Sequence, residues 1–451
     1  MSPRFRIALP AMLVVLVVGA GLALSGGGFG DGDAPGSSAG PGGSAGPPAS
    51  GPAAVVPTPT PRPELGGTEL FGYLPYWRMN DSTAVYLRDI PLSTIALFSV
   101  GAKRDGSINT GPLGYQRIAG PLGRQIIAEA HQRDVRVELV FTSFGERKNA
   151  VFFGRKQRRG GPPTASPAAS PAASPAASLG AAPEASPVPS RPAGPFREAP
   201  WTRTVDELVA LALDLDVDGI NVDVELLNEA DRDAYGAFLR ELRATLTEAR
   251  PKARVSVATE AGMRGVGNAA TAAAAGVDRI FLMGYDYHWS GSQPGASSPI
   301  DRIDGLYDLR WSIDSYVEAG VPRDRILLGL PLYGMTWRST GPDRWARVVG
   351  NGKSWILDGN LDVLLDPEFA PQRDPIEHAE FFVAQDGDTW LHTYYDSPAT
   401  LRLKLALARD HGLAGSGFWA IGYEQGVPGY LELMRDFRDG AVERSEAPPL
   451  P

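Results

Sequence analysis

Residues 217–242 read VDGINVDVELLNEADRDAYGAFLREL and concentrate the side chains best placed for chemistry. Side chains alternate faces along a strand. A strand over Gly219–Glu225 therefore turns Ile220, Val222 and Val224 one way, toward covering helices, and Asn221, Asp223 and Glu225 the other. Three stacked polar groups are costly to bury without partners. No Lys or Arg lies within the strand run to make them a simple ion network,. Two carboxylates two residues apart on one face suit general acid–base work. Apolar surroundings and a neighbouring negative charge raise a Glu pKa until it holds its proton near neutral pH. Other chemistries are excluded by composition. The 451 residues contain no Cys, so there is no thiol nucleophile, disulfide or thiolate metal site,. The five His, at 131, 288, 378, 392 and 411, include no pair at the i, i+4 spacing of a zinc helix,. No metal and no organic cofactor is expected. A net charge of −9 argues against a nucleic-acid partner,.

Eight apolar runs supply strands to carry such a site: Phe71–Trp77, Thr94–Val100, Arg136–Phe141, Gly219–Glu225, Arg254–Ala258, Arg279–Tyr285, Ile326–Tyr333 and Ser416–Ile421. Between them, Gly123–Arg133, Val205–Leu213, Asp231–Ala249, Leu309–Ala319 and Leu401–His411 repeat apolar residues at helical spacing,. Eight strands alternating with helices predict an α/β fold, a (β/α)8 TIM barrel. A doubly wound sheet is the rival, disfavoured because no glycine-rich phosphate loop follows the first strand. The stretch 338–396 is too long for one loop and predicts a small α+β insertion between strands 7 and 8,. In such barrels the site lies at the C-terminal strand ends. That is where Glu225 falls.

The run Asp218-Gly-Ile-Asn221-Val-Asp223-Val-Glu225 resembles the DGxDxDxE signature of glycoside hydrolase family 18, the chitinase-type barrels. The resemblance extends to Phe71-Gly-Tyr73, to Met283-Gly-Tyr285-Asp286, to Gly329-Leu-Pro331-Leu-Tyr333-Gly334, to Gly417-Phe-Trp419 and to Lys404. It implies a substrate-assisted, retaining hydrolysis of β-linked N-acetylglucosamine polymers, an exception to the two-carboxylate rule. Glu225 would be the acid and then the base, and Asp223 would hold the substrate's acetamido N–H. Tyr285 would bond the acetamido carbonyl and Trp419 would floor the sugar subsite. Met283, Asp286, Tyr73 and Tyr333 would line it. Two positions depart from the pattern. Asn221 stands where the family has Asp, so it can hydrogen-bond to Asp223 but not share a proton with it. Thr142-Ser143-Phe144-Gly145 replaces a Ser-x-Gly-Gly. Asn221 resembles the branch of cell-wall and spore-cortex N-acetylglucosaminidases, which tilts the substrate toward peptidoglycan while leaving chitin open. It is also the one feature favouring a non-catalytic carbohydrate- or wall-binding barrel.

The N-terminus reads as an export segment. Arg4 and Arg6 precede an apolar run over 7–24, either a cleaved signal within 1–25 or a retained membrane tether,. Residues 26–67 are a Gly, Pro, Ser and Ala linker too poor in large apolar groups to fold,. Residues 157–196, with the repeat ASPAASPAASPAAS, read as a disordered insert in the strand 3 loop, and 442–451 as a frayed tail,. The catalytic barrel then spans 68–441. The expected place of action is outside the cytoplasm, on an N-acetylglucosamine-containing polysaccharide. His288, Trp77 and Trp289 are further candidates to line the cleft. The sequence carries no signal for an oligomeric state.

Overall fold

The computed structural model describes residues 68–155 and 199–442, apart from 303 and 305. The apolar run at 7–24, the linker, the 157–196 insert and the tail beyond 442 lie outside the described residues. Among the described residues, no helix is long and apolar enough to cross a membrane.

Thirteen strands form two sheets among the described residues. Strands β1 (Glu69–Pro75), β2 (Thr94–Gly101), β3 (Arg136–Phe144), β4 (Gly219–Glu225), β5 (Arg254–Glu260), β6 (Arg279–Met283) and β7 (Ile326–Pro331) run in parallel. The barrel closes when β13 (Gly415–Trp419) pairs with both β7 and β1. A second sheet is built between β7 and β13, from β8 (Tyr333–Ser339), β9 (Lys353–Ile356), β10 (Gln372–Arg373), β11 (Glu380–Asp386) and β12 (Thr389–Tyr395). Helices α1 (Asp81–Tyr86), α2 (Leu113–Ala119), α3 (Pro121–His131), α4 (Glu146–Phe152), α5 (Pro200–Asp214), α6 (Arg232–Ala249), α7 (Met263–Ala274), α8 (Leu309–Glu318), α10 (Pro398–Asp410) and α11 (Tyr430–Arg438) belong to the barrel. The four-residue α9 (Leu361–Leu364) belongs to the insertion. The expected (β/α)8 barrel with an insertion between strands 7 and 8 is therefore present.

Several expected boundaries move. Strand 7 stops at Pro331 rather than Tyr333. Proline has no N–H for the ladder, and the next amide, Leu332, donates to Trp419 O (2.7 Å),. Tyr333 then opens β8, so the inserted sheet starts there rather than at 338. Strand 1 begins at Glu69 and ends at Pro75, leaving Trp77 in a short 3-10 turn. Strand 6 ends at Met283, leaving Tyr285 in the loop beyond it. Strand 5 continues to Glu260, two residues past its expected end, and strand 3 to Phe144.

Outward-facing Ile220, Val222 and Val224 are buried under the helices. Inside the barrel, Phe71, Tyr73 and Phe281 form a cluster with ring centroids 4.9–5.6 Å apart. Two glycines make room for it. A Cβ on Gly329 would stand 2.2 Å from the Phe281 ring, and one on Gly417 would stand 2.7 Å from it. Small residues on β7 and β13 thus balance one large ring on β6, which fills the barrel to close packing.

Lys404 of α10 is wholly buried, and its Nζ meets Asp396 Oδ1. Thr400 Oγ1 (2.9 Å) also donates to that oxygen, and Tyr430 Oη donates to the Asp396 carbonyl (2.5 Å). The pair ties the end of the insertion to the last two helices. Lys404→Met leaves Asp396 buried without its counter-charge and is expected to cost about 3–5 kcal/mol in urea unfolding. Adding Asp396→Asn to the same chain restores part of that loss. Equal midpoints for wild type and Lys404→Met would show that the pair does not hold this junction.

Candidate active site

Strand β4 delivers Asn221, Asp223 and Glu225 to the barrel interior, climbing toward its C-terminal mouth. In register, Asn221 lies beside Val140 and Ser256, Asp223 beside Thr142 and Ala258, and Glu225 beside Phe144. Asn221 is fully buried, Asp223 nearly so, and Glu225 half-buried at the rim. Asp223 Oδ1 is buried with no hydrogen-bond partner within the protein. An unpaired buried carboxylate oxygen is expensive, which marks it as a place where a donor is to be supplied.

The Asn221 amide does not turn to Asp223. Its Oδ1 accepts from Tyr73 Oη (3.0 Å) and its Nδ2 donates to Ser256 Oγ (2.7 Å). The expectation of an Asn221–Asp223 hydrogen bond is corrected accordingly. Both ends of the amide have better-placed partners on β1 and β5.

A third carboxylate, missed in the sequence, completes the mouth. Glu260 ends β5, two residues beyond Ala258 and on the same interior face. Its Oε1 accepts the backbone N–H of Leu226 (2.7 Å) and its Oε2 the Asn268 amide (3.4 Å). Leu226 has φ +58°, a left-handed conformation that costs of order 1 kcal/mol in a side chain of this size,. On the other side, Asn149 Nδ2 donates to Glu225 O (2.7 Å), and Asn149 Oδ1 accepts from Ser143 Oγ (2.8 Å). The peptide that carries Glu225 is therefore pinned from both flanks.

Burial raises the pKa of both Glu225 and Asp223. The charge of Glu260 adds most to Glu225, followed by that of Asp286, while Glu225 and Glu260 add to Asp223. Like charges this close do not both ionise. The site therefore holds a proton at neutral pH.

The remaining expected residues gather at the same mouth. Tyr73 is buried, its ring 5.5 Å from that of Trp419. Trp419 ends β13 and is buttressed edge-on by Phe98 (4.7 Å) and Trp77 (6.3 Å). Trp77 in turn donates to Tyr423 Oη (3.1 Å). Met283 pairs in register with Glu260. Tyr285 is half-buried in the loop after β6, its ring 6.3 Å from that of Tyr333. Asp286 is exposed at the rim and accepts from Tyr333 Oη (2.5 Å), so the first residue of the insertion braces the loop after β6. Trp289 is also exposed.

His288 does not line the cleft. It is 1% exposed, its ring nitrogens facing Gln293 O (3.0 Å) and Glu377 Oε1 (3.2 Å). Arg344 joins the same Glu377 and donates to Pro294 O (2.9 Å), while Glu377 accepts the Ala296 N–H (2.7 Å), so the β6 loop is held to the insertion.

Two outcomes follow from this crowding. Glu260→Gln keeps an acceptor for Leu226 but removes a charge, so the Glu225 titration, followed by carbon-13 NMR, moves to lower pH by on the order of one pH unit. An unmoved titration would show that Glu260 is not what holds it up. The second outcome concerns stability. A carboxyl whose folded pKa lies above its unfolded value, roughly 4.3, favours folding below that value and loses this as pH rises. Glu225→Gln should therefore melt progressively higher than wild type from pH 5 to pH 8. A constant difference would contradict the raised pKa.

Comparison with known proteins places this geometry. A family model described as Glycosyl hydrolases family 18 matches residues 198–424. The chain is 26% identical over 231 residues to the cortical fragment-lytic enzyme of Bacillus subtilis (strain 168), covering 49% of this chain and 50% of that one. It is 28% identical over 150 residues to class V chitinase CHIT5 of Lotus japonicus, covering 32% and 37%. It thus spans about half the length, or less, of these curated relatives. Among solved structures, the Bacillus cereus spore cortex-lytic enzyme SleL aligns with TM-score 0.60 at 19% identity, over 82% of this chain and 74% of that one. A class V chitinase from Nicotiana tobaccum aligns with TM-score 0.62 at 18% identity, over 82% and 99%. At these identities the structural likeness speaks for the fold. With the family model spanning half of the sequence, the strand that bears Asp223 and Glu225 included, the chain belongs to glycosyl hydrolases family 18.

Proposed function

We propose that this protein is a glycosidase that cleaves β-linked N-acetylglucosamine polymers with retention of configuration, using the substrate's own acetamido group. The observation that carries this reading is the buried, unpartnered Asp223 Oδ1 two residues below a rim carboxyl whose pKa is raised. An acetamido N–H supplies the donor that oxygen lacks.

Glu225, protonated at neutral pH, gives its proton to the glycosidic oxygen as the bond from C1 to that oxygen breaks. The acetamido oxygen forms the new bond to C1. The resulting oxazolinium carries positive charge beside Asp223, which accepts its N–H and is ionised because Glu225 held the shared proton. Tyr285 donates to the acetamido oxygen and orients it. Water then attacks C1, the bond from C1 to the acetamido oxygen breaks, and Glu225 takes the water's proton, restoring the acid. Trp419, flanked by Phe98 and Trp77, gives the sugar a flat apolar floor,. Asn221, Tyr73, Met283, Tyr333 and Asp286 complete the subsite. A preference for peptidoglycan is supported by the likeness to the cortical fragment-lytic and spore cortex-lytic enzymes. A place of action outside the cytoplasm accords with the same relatives and with the export-like N-terminus, whether that is removed or kept as a tether.

The test uses the full chain on N-acetylglucosamine oligomers and on purified peptidoglycan. Glu225→Gln is expected to lower kcat by roughly 10²–10⁴-fold with oligomer affinity kept, and Asp223→Asn to lose activity through the acetamido step. Proton NMR of the first product should show the retained anomer. If wild type binds the oligomer as tightly as Glu225→Gln and neither cleaves it or peptidoglycan, the barrel is a carbohydrate-binding module instead.

A further inference from the structure

Deep in the barrel, below the catalytic row, lies a carboxylate that the mechanism above does not use. Glu138 of β3 is 1% exposed, and Ser256 Oγ donates to its Oε2. Space is kept for it: a Cβ on Gly219 would stand 3.1 Å from Glu138 Cγ. From Glu138 an unbroken chain of hydrogen bonds climbs to the active site. Asn221 Nδ2 donates to Ser256 Oγ (2.7 Å) and Tyr73 Oη donates to Asn221 Oδ1 (3.0 Å).

Every donor in this chain points down toward Glu138, and one fact enforces it. An ionised carboxylate only accepts, so the single Ser256 hydrogen must go to Glu138. Ser256 then offers Asn221 only a lone pair, which selects the Nδ2 end of the amide. The Oδ1 end is left to face Tyr73, whose hydroxyl hydrogen is committed there, beside Asp223. An Asp at position 221 has two equivalent ends and needs no such selection, whereas an Asn does.

We propose that Glu138 is a positioning residue, the anchor of a one-way hydrogen-bond chain that fixes the Asn221 amide and through it the Tyr73 hydroxyl. Protonating Glu138 frees the chain to reverse. The acid then donates to Ser256, Ser256 donates to Asn221 Oδ1, the amide turns its Nδ2 to Tyr73, and the Tyr73 hydrogen is released toward Asp223. No bond other than O–H and N–H hydrogen bonds changes, and the one proton gained stays on Glu138. Burial holds the Glu138 pKa up at about 7, within reach of ordinary pH. The charged groups that face it are Arg254 and Arg136, which lower it, and Glu69 on β1, which raises it. Arg279 and Tyr73 also feel its charge. Glu69 is itself paired with Arg254 and Arg279, so of these two carboxylates Glu138 is the one left to titrate.

The kinetic part of this proposal rests on the glycosidase reading, while its spectroscopic part does not. In the full chain labelled with carbon-13 tyrosine, the Tyr73 ring signal, assigned by Tyr73→Phe, should show a step near pH 7 in wild type that Glu138→Gln removes, while any step imposed by the nearby Asp223 and Glu225 stays. On tetra-N-acetylchitotetraose, Glu138→Leu and Ser256→Ala should each lower kcat at least tenfold with KM within threefold. Glu138→Gln, which still accepts from Ser256, should recover kcat to within threefold and lose the ionisation near pH 7 from its profile. A Tyr73 signal in wild type that is indifferent to pH between 5 and 8 overturns the proposal, whether or not the protein cleaves the oligomer. So does Glu138→Gln behaving no better than Glu138→Leu. If wild type fails to cleave while Tyr73 still follows Glu138, the glycosidase reading falls and the chain stands.

Discussion

The interior of this barrel is organised by the difficulty of ionising several carboxylates in one small, closed space. Glu225 and Glu260 end the adjacent strands β4 and β5, Asp223 lies one step below Glu225 on the same face, and Asp286 overlooks them from the rim. In water each would be ionised at neutral pH. Behind a wall of strands, mutual repulsion and loss of hydration make one proton more stable on the cluster than off it. A retained proton within reach of solvent is what distinguishes an acid catalyst from a structural carboxylate. The rest of the fold keeps that proton at the open mouth of the barrel.

That constraint accounts for the unequal treatment of neighbouring acids. Glu69 at the barrel floor is met by Arg254 and Arg279 and sits below the usual carboxylate range. Glu377, at the junction of barrel and insertion, faces His288 and Arg344 and is held at about 2. Both are fully buried or nearly so and both are fixed as anions, since a nearby cation outweighs burial. None of the three carboxylates at the mouth has a cation against it among the described residues, and Glu225 and Asp223 move in the opposite direction. The insertion contributes differently. Tyr333 reaches Asp286, and Glu377, held by Arg344, fastens the loop that bears Tyr285 and Asp286 through His288 and the Ala296 N–H. A loop is otherwise the least rigid part of such a fold.

Much of this was legible in the sequence because strand parity is strict. The alternation in Gly219–Glu225 alone put Asn221, Asp223 and Glu225 on one face, and eight apolar runs between helical patterns implied closure. What escaped had weak local signals. Glu260 was lost because the apolar run of strand 5 ends at Ala258. Extending the parity from Ser256 through Ala258 would have found it. The partners of Asn221 were misjudged because register across strands is a tertiary fact, and only pairing with β5 brings Ser256 to the amide. His288 looked like a cleft residue by its closeness to Tyr285. The sheet that buries it begins some 45 residues later, and sequence distance gave no warning.

The peptide after Glu225 shows what the arrangement gives up. Leu226 is held in a left-handed conformation that a leucine does not choose, and the group that holds it is the same Glu260 whose charge pushes the Glu225 pKa up. An uncharged acceptor in that place would relieve repulsion and stabilise the fold, yet it would also let Glu225 ionise more readily. A cation would do so more strongly. Only an anionic acceptor at the end of β5 both clamps the turn and defends the proton. Position and protonation of Glu225 therefore depend on one side chain. The destabilisation it causes is carried by the packed aromatic and aliphatic layers beneath, where Phe281 is seated between Gly329 and Gly417. Such a site can be strained only because the barrel around it has little freedom to relax.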